Sequence, residues 1–100
     1  MKQKERIEKM EKILFNSSKL LEELEEILGK IEEDSKNYDE LIKYYYSKNW
    51  VKDKEDFEND LLTDIESAYV LTEDGIYDRM TASGGIAIHM LELATKMLKR

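Results

Sequence analysis

The sequence predicts an all-α protein, and three observations carry that expectation. The first half of the chain holds a heptad pattern of apolar residues that runs without a slip. The composition combines no Pro and only four Gly with a charged fraction of 39% and a hydrophobic fraction of 41%, the profile of a helical rather than a sheet protein. The closing stretch, "IAIHMLELATKMLKR", repeats the helical spacing of its apolar residues. One hundred residues amount to one domain, 1–100, able to bury a modest core.

The heptad stripe is Ile7, Met10, Leu14, Ser17, Leu21, Leu24, Leu28, Ile31, Ser35, Tyr38, Ile42 and Tyr45. Its steps alternate three and four, which places these residues on one side of a helix. A second stripe, Ile13, Leu20, Ile27 and Leu41, lies beside the first. Three apolar positions per heptad make a face wider than a two-stranded seam, and such a face wants more than one neighbour. A helix from Lys4 to Tyr46 would be roughly 65 Å long, against a radius of gyration of about 13 Å for a compact domain of this length. The protein is therefore elongated, or the helix breaks. The weak stretch is "GKIEEDSKN", 29–37. One Gly costs only about 1 kcal/mol in a helix interior, and the heptad phase survives the stretch, so one long helix is expected.

Ser47, Lys48 and Asn49 are expected to terminate it. Beyond them Phe57, Leu61, Leu62, Ile65, Ala68 and Tyr69 recur at helical spacing, and a short helix around 57–68 is the expectation. In "LTEDGIYDRM" Thr72 suits an N-cap, Glu73 and Asp74 suit the positive end of a helix dipole, and Leu71 and Ile76 stand at the positions of a hydrophobic staple. "TASGG" reads as an interruption before a last helix, with Thr81 or Ser83 as its cap. Lys96, Lys99 and Arg100 suit that helix's negative end. The expected architecture is an elongated antiparallel helical bundle, with the long N-terminal helix as spine and two shorter C-terminal helices packed back on it.

The segments "RIEKMEKIL", "YYYSKNW", "LTEDGIYDRM" and "MLELATKMLK" together resemble a family of small, uncharacterised bacterial helical proteins, a domain of unknown function. The resemblance spans nearly the whole chain. It implies a bacterial, cytoplasmic, single-domain protein and carries no activity with it.

Charge and residue inventory argue against most chemistries. The net charge is −7. It is uneven: 1–12 hold five basic and three acidic groups, whereas 53–78 hold ten acidic groups and one lysine, Lys54. An acidic chain repels phosphate backbones, so nucleic-acid binding is not expected. There is no Cys, hence no disulfide and no thiolate metal site, which fits a cytoplasmic location. The charged start, "MKQKERIEKM", has no apolar core of a signal peptide. No apolar run approaches the ~18–20 residues of a membrane span, and the basic groups near the start are diluted by Glu5, Glu8 and Glu11. Neither export nor membrane binding is expected.

The one histidine, His89, shares a polar stripe with Glu92, Lys96 and Lys99. Two ligands do not make a metal site, and a di-iron bundle needs matching ligands on several helices. A calcium loop begun at Asp56 would place Leu61 where its glycine belongs. "SGG" at 83–85 precedes a helix but lacks a Walker lysine and a preceding strand. No catalytic residue, cofactor or metal is therefore expected, and the chain is read as a non-enzyme.

The remaining distinctive feature is "LIKYYYSKNW", which concentrates four of the nine aromatics. Successive helix residues are turned by about 100°, so Tyr44, Tyr45 and Tyr46 point in different directions. Tyr38 and Tyr45 belong to the stripe and are expected in the core. Tyr44, Tyr46 and Trp50 allow two readings: a cap closing the end of the bundle, or an interaction patch of the kind that Tyr and Trp anchor. The function expected from the sequence is a non-enzymatic protein–protein interaction or regulatory module, with an unidentified protein partner or a homodimer through the long helix. The alternative is an acidic decoy, with 53–78 imitating a nucleic-acid backbone toward a basic protein.

Overall fold

The computed structural model describes residues 2–65 and 68–100, and every described element is helical. Three α-helices follow in order: α1, Lys2–Tyr45; α2, Lys48–Glu58; and α3, Glu73–Leu98. A single 3₁₀ turn, Tyr69–Leu71, leads into α3. The chain divides into two compact units, 1–38 and 39–100.

Unit 1 is the greater part of α1. The helix runs through 29–37 without a break, as the unbroken heptad phase requires. Gly29 keeps a negative φ, so the helix uses it as an ordinary residue. None of the residues of α1 is buried. The heptad stripe and the second stripe beside it lie open along the unit, with Leu14 63% and Leu20 66% exposed. Ion pairs one turn apart, Lys4–Glu8 at 3.8 Å and Lys30–Glu26 at 4.0 Å, lie on exposed faces, where such pairs add only about 0.3–0.5 kcal/mol each.

Unit 2 is built around two hydroxyl caps of one design. Ser47 is the N-cap of α2: its Oγ accepts from the Trp50 amide at 3.2 Å and donates to the Tyr44 carbonyl at 2.6 Å. Thr72 is the N-cap of α3: its Oγ1 accepts from the Gly75 amide at 3.0 Å and donates to the Tyr69 carbonyl at 2.7 Å. Each side chain satisfies a free amide of the helix it begins and a carbonyl of the turn before it. Glu73 and Asp74 occupy the first turn of α3. Leu71 and Ile76, the residues flanking that start as a staple does, are the two buried apolar side chains among the described residues, at 7% and 2% exposure. The 3₁₀ turn carrying Leu71 contacts both α2 and α3.

Two sequence expectations are corrected. The helix expected around 57–68 lies earlier. Ser47 both ends α1 and starts α2, so the second helix occupies Lys48–Glu58. It ends at Asn59, after which Asp60 takes a left-handed backbone with φ 57°, a conformation that Asp tolerates better than most residues. Residues 61–65 and 68 are not helical, and 66–67 of the expected helix lie outside the described residues. The interruption expected at "TASGG" is also absent. Thr81–Gly85 is part of a continuous α3, so one C-terminal helix stands where two were expected. No glycine among the described residues has positive φ. About 1 kcal/mol per Gly is too little to break a helix with good helix formers on both sides.

Candidate interaction surfaces

The aromatic cluster sits where α1 turns into α2, and the Ser47 cap sets its geometry. The turn folds Trp50 back against Tyr45, edge to face, with ring centroids 5.0 Å apart at 67°. Tyr46 meets the same Tyr45 at 5.1 Å and 70°. Tyr45 is thus clasped between two rings in the geometry that aromatic quadrupoles prefer. The Trp50 indole reaches across the unit and donates from Nε1 to the Val70 carbonyl at 2.9 Å. That bond ties the start of α2 to the 3₁₀ turn.

Tyr44 points away from this clasp. Its hydroxyl donates to Asp53 Oδ2 at 2.6 Å, joining the last turn of α1 to α2. Burial, this hydrogen bond and the neighbouring carboxylate charge together push the Tyr44 phenol up to about 12. Tyr44 and Asp53 form the polar end of a shallow hollow of about 310 Å³ otherwise walled by apolar residues, Leu62, Val70 and Leu71 among them.

The three aromatic residues singled out in the sequence therefore differ in setting. Tyr44 and Trp50 are half-buried and hydrogen-bonded within the unit, and Tyr46 is 71% exposed. Tyr38 and Tyr45, expected in the core, are half-buried. Sequence reading missed Asp53 and Val70 as partners of Tyr44 and Trp50. Only the placement of the α2 cap at Ser47 could have suggested them, because it fixes which residues face back onto the last turn of α1.

The second candidate surface is the open stripe of α1, repeated on α3 by Ile86, Met90, Leu93 and Met97, all exposed. The acidic segment is partly self-neutralised: Lys52 pairs with Asp56 at 3.4 Å and Lys54 with Glu58 at 2.6 Å. The hydrogen bond to Glu58 holds the Lys54 ammonium above its usual range. His89 is exposed on α3. Among the described residues no group of three or more metal-ligating side chains is placed to hold a metal, and no helix is long and apolar enough to cross a membrane.

These features define an all-helical protein whose conspicuous surfaces are apolar stripes and an aromatic turn. The chain belongs to the family described as "Domain of unknown function (DUF4298)", whose profile matches residues 7–93. Comparison with curated proteins and with solved structures gives no match.

Proposed function

We propose that this chain is a non-enzymatic protein-interaction module that works by covering the apolar stripe of α1. The observation behind this reading is a long helix with a heptad stripe that lies exposed throughout 7–31. Helices in proteins draw most of their stability from packing an apolar face rather than from intrinsic propensity. A stripe of Leu, Ile and Met at this density is a face made to be covered.

The reading includes a fold-back in which α3 lies antiparallel along α1, making 1–100 one domain. Three apolar positions per heptad leave room for a further neighbour beside α3. Tyr46, with the outer edge of Trp50, is the second contact surface in this reading. The bacterial, cytoplasmic setting follows the family resemblance of the sequence.

The acidic-decoy alternative has less support, because Lys52 and Lys54 already neutralise two of the carboxylates of α2. Hydrogen exchange on the full chain tests the main reading. Amides of 7–31 should be protected well beyond those of a solitary helix. Exchange at solitary-helix rates across the whole stripe, at every protein concentration, would show that nothing covers it.

A further inference from the structure

We infer that the cover of the α1 stripe is a second copy of this chain, paired parallel and in register over 7–31. The inference rests on the interaction reading above and names the partner of that same surface.

Area supports it first. The ten apolar side chains of the two stripes between Ile7 and Ile31 are each 39–66% exposed. Together they offer on the order of 1,000 Å² on each chain, against the ~800 Å² per partner of a standard stable interface. The partner surface must be a matching apolar helical stripe of the same length, and a second α1 is one by construction.

Charge selects the orientation. One edge of the stripe carries Glu11, Glu25 and Glu32; the other carries Arg6, Lys9 and Lys30, interrupted by Glu23 and followed by Asp34. In a parallel pair the left edge of each helix faces the right edge of its partner, as e and g positions do in coiled coils. Arg6 and Lys9 then face the partner's Glu11, and Lys30 faces the partner's Glu25 and Glu32. In an antiparallel pair each edge faces its own kind, which sets Glu25 and Glu32 against carboxylates. Ser17 and Ser35 on the stripe would match themselves in the parallel register. They would match each other in an antiparallel pair centred near residue 26. Edge charge separates these two registers and favours the parallel one.

The absence of cysteine makes the test direct. Ser17 is a small, exposed residue on the stripe, so Ser17→Cys is a mild change. In full-length protein, sedimentation equilibrium should show a dimer. Oxidised Ser17→Cys should form a disulfide-linked dimer, and Leu14→Lys should weaken dimerisation by about 30-fold or more, the scale of a lost interface anchor. Glu25→Lys should weaken it less, with the loss shrinking in high salt.

A protein that stays monomeric at its solubility limit overturns the inference. If its 7–31 amides are nonetheless protected, the interaction reading stands with a partner other than a second copy. If they are unprotected, both fail. A dimer in which Ser17→Cys does not cross-link, while mixed Ser17→Cys and Ser35→Cys chains do, overturns the parallel arrangement.

Discussion

Residues 1–38 and 39–100 are held in helices by different means. Among its described residues the first unit has no buried side chain, and its ion pairs Lys4–Glu8 and Lys30–Glu26 are exposed contacts one turn apart on the same helix. Its order is written in periodicity. The second unit has a small apolar centre at Leu71 and Ile76 but a dense set of specific bonds: two hydroxyl caps, the Tyr45 clasp, Tyr44–Asp53 and Trp50–Val70. The lesson is that periodicity fixes a helix and the face it will offer, whereas local polar chemistry fixes a turn. A single point change should therefore matter far more in the second unit than a single polar change on the outer face of the first.

The largest expected effect tests that contrast at the clasp. Trp50→Ala removes the edge-to-face contact with Tyr45 and the bond to Val70, and should cost about 3 kcal/mol, the lower part of the range for losing a packed Trp. Amide exchange should quicken across α2 and the 3₁₀ turn while 7–31 keep their rates. Equal loosening of both units would break the contrast.

The glycines sharpen it. A Cβ on Gly75 would collide with the Tyr69 backbone carbonyl, whereas one on Gly29, in the first unit, would face open space. Gly75→Ala should therefore destabilise by about 2 kcal/mol, as overpacking against a fixed group does. Gly29→Ala should stabilise by up to about 1 kcal/mol, the propensity difference in a helix interior. Thermal melts of the two variants should move in opposite directions.

The two caps come next. Ser47→Ala and Thr72→Ala should each cost about 1 kcal/mol, measured by denaturant unfolding. Ser18→Ala, on the exposed first unit, should stay within about 0.5 kcal/mol.

The smallest effect is a pH response. The Tyr44 phenol is raised from 10.0 to about 12 in the fold. A group whose folded pKa lies above its unfolded value contributes fully below the unfolded pKa and loses that contribution as pH rises through the folded one. Stability contributed by Tyr44 should be intact at pH 9 and should fade between about pH 10 and 12. A spectrophotometric titration should show a late component for Tyr44, and Tyr44→Phe should remove it.

How far the sequence could be read follows the same division. The heptad phase carried the helix through Gly29, and the capping residues with their staple placed the start of α3 at Thr72. Ser47 was legible as a stop but not as a start, because a hydroxyl that ends one helix and caps the next leaves the same trace as a plain terminator. "SGG" looked like a turn because two adjacent glycines usually mark one. Its helical state depends on the apolar residues that continue on both sides of it. Of the aromatic cluster, the divergence of Tyr44 and Tyr46 followed from helix geometry. The pairing of Trp50 with Val70, twenty residues away, is one that no local pattern encodes.

The tether from Trp50 to Val70 gives the molecule an optical reporter of its own. Trp50 is the sole tryptophan, it lies in the second unit, and its indole is both set edge to face against Tyr45 and hydrogen-bonded there. Its emission should report on that unit and be blind to the first. Far-ultraviolet dichroism, by contrast, weighs every helical residue, and α1 supplies the largest share. Recording both signals through one melt sets the second unit's transition against that of the whole helical content without adding a label. Coincident curves would mean that the turn and the stripe unfold as one cooperative body, and separated curves would show which of them lets go first.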